Sequence, residues 1–275
     1  MGGRWAYLIP HTAIVLWVGA VLAVPLAALS ATVMVLVDRH AADADYRWAS
    51  AAALIGILAL VAATVHVGRS FARIHAVARE RCRRHNVLVD LFAVERPDLG
   101  RVVVVPDGRL FAYSLPCLIS GRIVLSSGVL DRLDEESLAA VLAHERAHLA
   151  ARHHLILQLA TAITAAFPRV APGLPKKIAQ LIEMAADCSA SRAVGRQPAM
   201  NALRTLAHMT IPPGVLGAGG RAVVLRLARL RSGRDCCARS LSVGNYAAAA
   251  TLLLLPAMVV LVNQSIDLCL WMATL

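Results

Sequence analysis

Two histidines and a glutamate stand close together in this 275-residue chain, at His144, Glu145 and His148. Residues four positions apart lie on the same face of an α-helix, so the two imidazoles can offer nitrogen ligands to one metal ion. Glu145 is close enough to take a proton from a water molecule at that ion. Two histidines with an adjacent carboxylate are typical of zinc hydrolases that attack amide bonds, so the spacing predicts a hydrolytic zinc centre.

The residues around this motif predict the helix that its spacing requires. Asp134 can act as an N-cap, and the acidic residues that follow it suit the positive end of a helix dipole. Leu138, Val141 and Leu149 recur at helical spacing. We therefore predict an active-site helix over about residues 135–151, with the motif well inside it.

A catalytic zinc centre needs a third protein ligand. Glu183 and Asp187 are four residues apart in a second predicted helix, about 176–194, which Gly195 ends. Alanines beside them leave room for close packing against the first helix. We assign Glu183 as the third ligand and Asp187 as the acceptor that orients a ligating histidine. The alternative is an exposed acidic helix face.

The two motifs, His-Glu-x-x-His at 144–148 and Glu-x-x-Ala-Asp at 183–187, resemble those of gluzincin-type integral membrane peptidases. The stretches 122–130 and 138–143 look specifically like BlaR/MecR-type antirepressor peptidases, over roughly residues 100–200. This resemblance implies a zinc endopeptidase that holds one Zn2+ per chain and cleaves a protein substrate, namely a cytoplasmic transcriptional repressor. HtpX/Ste24-type membrane peptidases share both zinc motifs and match less well in the strand before them.

Two rival functions stay open at the level of sequence. One is an HtpX-like quality-control protease that cuts damaged membrane proteins. The other is a catalytically silent regulator that keeps zinc for structure, although a structural site has no need of the base Glu145. Because the chain ends at Leu275 without the penicillin-binding sensor domain of full-length antirepressors, beta-lactam sensing is not expected. The sequence is compatible with a homo-oligomer.

The composition favours a multi-pass protein of the cytoplasmic membrane. Hydrophobic residues make up 58% and charged residues 16% of the chain, with a mean hydropathy of +0.64. We predict two transmembrane helices within residues 1–68, at about 5–37 and 49–68, and a third within 246–275. Arginines crowd the ends of the second and third spans, so the domain between them, 69–245, is expected to face the cytoplasm.

The net charge of +11 raises the question of nucleic-acid binding. The arginines that flank the predicted spans, Arg226 and Arg229 among them, are better explained by contact with anionic lipid head groups. No helix-turn-helix or aromatic stacking platform accompanies them. We therefore expect the lipid bilayer and a protein substrate as partners, and no direct binding of nucleic acid.

The predicted fold class is a mainly α membrane protein in which transmembrane helices flank one α+β zincin-like metallopeptidase domain with a small β-sheet. A basic helix is expected over 70–85, followed by strands at 102–105, 110–113 and 122–125, the first two joined by a hairpin at Asp107-Gly108. The third strand is expected to accept an extended peptide at its edge.

Other segments carry weaker signals. Residues 155–168 predict a buried or interfacial helix, and the loop 211–222 could act as a lid. His208 is a candidate oxyanion donor, whereas His153 and His154 are expected to face solvent or head groups.

Overall fold

A computed structural model describes residues 44–116, 121–169, 171–210 and 218–232, together with residues 10, 13, 14, 16, 17 and 251. The chain divides into two compact units, one of residues 1–11 and 70–236 and the other of residues 12–69 and 237–275. The predicted first span lies almost wholly outside the described residues, as do the C-terminal span, most of the 211–222 loop and the side chain of His208.

One helix, α1, runs from Ala44 to Phe92. The sequence predicts two elements here, a span at 49–68 and a basic helix at 70–85, and the structure shows no break between them, since both lie in one continuous helix. Gly68 costs a helix only about 1 kcal/mol, no proline follows it, and the arginines and alanines after it are good helix formers. Within α1, Leu54–Phe92 is long and apolar enough to cross a membrane by length and composition, and the part of the chain that is described contains one such helix.

Four strands form a mixed sheet: β1 (Val94–Arg96), β2 (Val102–Val105), β3 (Ala112–Leu115) and β4 (Arg122–Ser126). Their order is β1-β2-β4-β3, with β2 parallel to β4 and the other two pairs antiparallel. The sequence does not predict β1, because three residues are too few to show an alternating pattern. The strand predicted at 110–113 corresponds to β3, which begins and ends two residues later in the chain.

The predicted hairpin at Asp107-Gly108 is wrong, because β4 lies between β2 and β3. A type I′ turn needs a positive φ at the glycine, and Gly108 does not have one. The Asp107 carboxylate instead accepts a hydrogen bond from the backbone N–H of Arg109 at 2.9 Å. As a result the predicted third strand, β4, is internal, and within the described sheet the edge beside the helices belongs to β3.

In the described part of the chain after the sheet there are six helices: α2 (Ser127–Arg132), α3 (Glu135–Ala150), α4 (His153–Ala166), α5 (Leu174–Val194), α6 (Arg196–Thr210) and α7 (Ala218–Arg231). Asp134 caps α3 as the sequence indicates, accepting a hydrogen bond from the Ser137 N–H at 2.7 Å. Gly195, with φ of 94°, ends α5 in a backbone conformation that suits glycine. Helices α3 and α5 begin and end within two residues of the predicted bounds.

The two faces of the sheet have different coverings. Val102, Ile123 and Leu125 pack with buried residues of α3, α5 and α6, many of them alanines that let the helices approach closely. On the opposite face, Val103 and Val124 pack against Val89 of α1. The alternation of side chains along each strand thus places Ala112 and Ser114 of β3 on the helix side.

Candidate metal centre and active site

Helices α3 and α5 bring together the three residues that the sequence predicts as metal ligands. The Nε2 atoms of His144 and His148 are 3.1 Å apart. Glu183 places one carboxylate oxygen 3.6 Å from the His144 Nε2 and the other 3.7 Å from the His148 Nε2. All three donor atoms lie within 4.8 Å of one another. The spacing of four in α3 and the packing of α5 against it therefore create one convergent donor set.

This donor set fits a zinc ion. Two ligands at the usual zinc bond lengths in a tetrahedron lie about 3.3 Å apart. The observed separations of 3.1 to 3.7 Å are close to this value. Two imidazoles and one carboxylate leave a fourth position open, as catalytic zinc sites require. These residues can hold a catalytic metal ion without rearrangement of the two helices.

Each imidazole has a hydrogen-bond partner at Nδ1, on the side of the ring that faces away from the donor set. The Nδ1 of His144 lies 3.2 Å from a carboxylate oxygen of Asp187, which is the contact that the sequence predicts for that residue. The Nδ1 of His148 lies 3.0 Å from the Nδ1 of His153. Such partners fix the ring orientation and tautomer of a metal ligand. Both rings therefore present Nε2 to the common point.

The prediction that His153 faces solvent is wrong, because only 4% of its surface is exposed. Arg152, directly before it, has φ of 47°, a left-handed conformation that few residues other than glycine adopt. This tight turn between α3 and α4 folds His153 back onto His148. A strained backbone beside a functional residue is consistent with a site that the surrounding structure holds in place.

The electrostatic surroundings of the two imidazoles differ. Burial disfavours the protonated form of His144, but its hydrogen bonds to Asp187 and Glu183 outweigh burial and raise its pKa to about 9. Burial, together with the positive charge of His144, lowers the pKa of His148 to about 4. His148 is therefore neutral at physiological pH, whereas a proton competes with a metal ion for His144.

Glu145 lies at the same centre but is not part of the donor set. It is 9% exposed and hydrogen-bonded to Ser114 of β3, and burial raises the pKa of its carboxyl group. A buried carboxylate with a raised pKa is better suited to accept and return a proton than an ordinary surface glutamate. Its position between the donor set and β3 suits a general base that faces a substrate bound along this strand.

Helix α7 contributes a residue that the sequence does not single out for the site. Arg226 donates from Nε and Nη2 to the two carboxylate oxygens of Asp187, both at 2.7 Å, and its Nη1 lies 2.9 Å from Glu183. Arg229 donates to the backbone oxygen of Met184 at 3.0 Å. The prediction that these two arginines contact lipid is therefore wrong. The sequence feature that could have pointed to Arg226 is the pair of carboxylates in α5, because two carboxylates that are buried together need a cation beside them.

Residues 75–202 match the model of Peptidase family M48. The matched segment is a little under half of the chain, and it contains both motif helices and the whole sheet. No curated protein and no solved structure matches the chain. The M48 match supports a metallopeptidase, as the sequence motifs predict. The narrower resemblance to BlaR/MecR-type antirepressor peptidases stays a prediction.

Proposed function

We propose that this chain is a membrane-anchored, zinc-dependent endopeptidase. The observation that carries the proposal is the convergence of His144, His148 and Glu183 beside the buried carboxylate of Glu145. A purely structural zinc site has four protein ligands and no base. Among the residues that the structure describes the donor set has three members, and the base lies next to a sheet edge. The M48 match supports the same class of reaction.

The catalytic chemistry divides between the ion and the chain. When bound, zinc acts as a Lewis acid that makes water more acidic and polarises a carbonyl group. Glu145 accepts the proton of the attacking water and returns it to the nitrogen of the departing amine. Asp187 and His153 keep the ligating imidazoles oriented, and Arg226 balances the negative charge behind them. Glu145 is therefore the group whose loss should abolish turnover without releasing the metal.

The edge of β3 supplies a place for the substrate backbone. An extended peptide that adds to a strand gains main-chain hydrogen bonds whatever its side chains are. Ala112 and Ser114 lie on the helix side of β3, and Ser114 contacts Glu145. A peptide added along this strand would lie beside Glu145, because Glu145 is hydrogen-bonded to Ser114 of the same strand. This arrangement favours cleavage within a chain over removal of single terminal residues.

The proposed location is the cytoplasmic membrane, with the catalytic unit in the cytoplasm. The support is the apolar stretch within α1, the arginines that follow it and the hydropathy of the whole chain. A fluorescent protein fused after residue 232 should fluoresce in the cytoplasm, and alkaline phosphatase fused after residue 43 should be active outside. The reverse pattern would contradict this topology.

The proposed substrate is a cytoplasmic protein such as a transcriptional repressor, on the strength of the BlaR/MecR resemblance. An HtpX-like quality-control protease is the second candidate. The two differ in selectivity: a regulator cuts one defined protein at one bond, whereas a quality-control enzyme cuts many unfolded membrane proteins. Comparison of the proteins that accumulate on depletion of the enzyme would separate them.

The decisive test replaces Glu145 by glutamine in the full chain, purified in detergent and loaded with zinc. Glu136→Gln is the matched control, because Glu136 is an exposed glutamate in the first turn of the same helix. We expect both variants to bind one zinc per chain. Cleavage of an unfolded protein should fall at least about 100-fold in Glu145→Gln alone, since a positioned base contributes that much. Equal proteolysis in both variants would remove the enzyme and leave a zinc-binding regulator.

A further inference from the structure

Helices α4 and α5 form a hairpin that runs away from the donor set and returns to it. α4 begins at His153, whose imidazole contacts His148, and α5 carries Glu183 back to the same centre. The turn between them is closed by a hydrogen bond from the Ala171 N–H to the Phe167 oxygen at 3.3 Å. We call residues 165–177 the hairpin tip. It is the part of the hairpin that is most distant from the chemistry.

The start of α4 lies at the level of Cys82 on α1. The Cys82 thiol donates a hydrogen bond to the backbone oxygen of Pro116 at 3.1 Å. Pro116 also lines a cavity together with three histidines, namely His148, His153 and His154. The chain directly after β3 thus links the first residues of α4 to this position on α1.

The direction of α4 follows from its next contact with α1. The Gln158 Oε1 lies 2.9 Å from the His75 Nδ1. The level on α1 moves from Cys82 to His75 as α4 proceeds, so α4 runs antiparallel to α1. A further eight residues bring α4 to Ala166 and add about 12 Å, which takes the hairpin tip past the level of Arg73. The tip therefore points toward the end of α1 that carries the predicted span at 49–68.

The part of α4 that leads to the tip is suited to an apolar environment. Residues 155–168 carry no charge. Each polar side chain in this segment has a partner within the protein: Gln158 faces α1, and Thr161 and Thr164 donate to backbone oxygens four residues earlier, at 2.7 and 3.0 Å. Polar groups that are bonded internally can leave water without the cost of an unmade hydrogen bond. The same adaptation is required of helices next to lipid.

The hairpin tip itself is basic. Arg169, Lys176 and Lys177 are exposed, and within the described residues none of them forms an ion pair. The sequence has no acidic residue between Glu145 and Glu183. The lysines do not stabilise α5, because they lie near its amino-terminal end, where the helix dipole disfavours cations. Their placement is better explained by a negatively charged partner than by the stability of the helix.

Apolar residues are exposed beside these cations. Ala165, Pro168 and Pro172 are exposed, and Phe167 is half-buried between them in the sequence. Apolar side chains next to lysine and arginine are the composition of surfaces that bind the interface of an anionic bilayer. The apolar groups enter the boundary of the acyl chains, and the long cationic side chains reach the head groups. The position of the tip along α1 favours the same partner.

We infer that the hairpin tip binds the cytoplasmic leaflet of the membrane, with its apolar residues at the acyl boundary and Arg169, Lys176 and Lys177 among anionic lipid head groups. This inference rests on the proposed membrane location and adds a second attachment point, on the catalytic unit itself. It depends neither on zinc nor on cleavage. Seven residues of α5 separate Lys176 from Glu183, so the bound tip holds the donor set about 10 Å from the head groups.

The first test places a fluorescent amino acid at one position at a time by amber suppression. The full chain is reconstituted in nanodiscs rich in phosphatidylglycerol that contain lipids with a nitroxide on the upper acyl chain. Ala165 is the test position, Ala151 is an exposed control at the other end of α4, and Val65 is an exposed control in the predicted span. We expect quenching at least about threefold stronger at 165 than at 151, because only the tip reaches the acyl boundary.

The three positions separate the possible failures. Quenching at Val65 without quenching at Ala165 would overturn the inference and leave the membrane location. Quenching at neither position would overturn the membrane location, whatever the zinc and cleavage assays show. Equal quenching at Ala165 and Ala151 would also overturn the inference, because the tip would then be no closer to lipid than the opposite end of α4.

The second test removes charge from the tip. Lys176→Gln with Lys177→Gln is compared with Arg101→Gln and Arg132→Gln, two exposed cations elsewhere in the same unit. Two cations at about 1 kcal/mol each shift the equilibrium between bound and free tip about 30-fold. Quenching at residue 165 should therefore fall in the lysine variant toward its value in phosphatidylcholine, and the arginine variant should match the wild type.

Two results of this second test would overturn the role of the cations. One is unchanged quenching in the lysine variant, and the other is wild-type quenching that is equal in phosphatidylglycerol and phosphatidylcholine. A lysine variant that loses binding of an acidic protein in detergent, in a chain whose residue 165 is not quenched by lipid, would assign the tip to a protein partner and overturn the inference as a whole.

Discussion

His153 is a residue whose contribution to the metal centre can be isolated. Its Nδ1 faces the Nδ1 of His148 at 3.0 Å, so it accepts a hydrogen bond when His148 binds a metal through Nε2. Loss of such a partner lowers metal affinity about 10- to 100-fold. We expect this loss in His153→Leu and a smaller one in His153→Asn, whose side-chain oxygen can take the place of Nδ1. Chelator competition for zinc measures the affinities.

The control for this prediction is His154→Leu, which removes the neighbouring imidazole in the same cavity. Its zinc affinity should stay within a factor of about three of the wild type, since effects away from a ligand contact are small. Equal losses in His153→Leu and His154→Leu would show that general disturbance of α4, and not the hydrogen bond, is responsible.

The raised pKa of His144 predicts how zinc affinity depends on pH. A protonated imidazole cannot bind zinc, and His144 holds its proton up to a pH of about 9. Zinc must therefore displace one proton at neutral pH, and its affinity should rise about tenfold per pH unit between pH 7 and 9. An unperturbed histidine would show this dependence only below its ordinary pKa. Chelator competition measures this affinity. A zinc affinity that does not change from pH 7 to 9, after correction for the chelator's own protonation, would contradict the raised pKa of His144.

Among the elements, α7 is tied to α5 by the ion pairs of Arg226 with Asp187 and Glu183 and by the hydrogen bond from Arg229 to the Met184 backbone, and the pair with Asp187 is the more buried of the two ion pairs. Asp187 has 7% and Arg226 16% of its side chain exposed. Removal of one partner from a buried pair leaves an uncompensated charge and costs about 3 to 5 kcal/mol. Arg226→Leu should therefore lower the free energy of unfolding by about this amount, as measured by denaturant titration in detergent. Arg231→Leu, at an exposed position of the same helix, should change it by less than about 0.5 kcal/mol.

A double variant separates the charge from the packing of α7. Arg226→Leu combined with Asp187→Asn removes both charges, so it should recover a large part of the stability that Arg226→Leu loses. If the double variant is as unstable as Arg226→Leu, lost packing of the arginine side chain explains the effect and the ion pair does not.

Local signals in the sequence were sufficient to predict the positions of α3 and α5. The Asp134 cap, the spacing of His144 and His148 and the terminal Gly195 each act within one helix, so they predict its position directly. Contacts between distant segments were not predictable in this way. Arg226 reaches Asp187 across 39 residues, and β4 inserts between β2 and β3, so neither follows from a local pattern. The three proposed ligands could therefore be predicted from the sequence, whereas the contact of Arg226 with Asp187 and the position of β3 at the sheet edge could not.

At the scale of the whole molecule, composition predicts membrane spans in segments that lie outside the described residues. Hydropathy and arginine placement predict three spans, of which only the second falls fully within the described helix α1. The catalytic part lies within the unit of residues 1–11 and 70–236, and all of the proposed site residues belong to it. The chemistry can therefore be tested on the purified full chain before the topology is known.

The central claim is that His144, His148 and Glu183 bind one divalent ion, and metal content per chain tests it most directly. Elemental analysis of the purified full chain should give about one zinc for the wild type. It should give well under half of that for Glu183→Ala, whereas the matched surface variant Glu136→Ala should match the wild type. Full zinc retention in Glu183→Ala, or no bound metal in a wild-type chain that still cleaves peptides, would contradict the account.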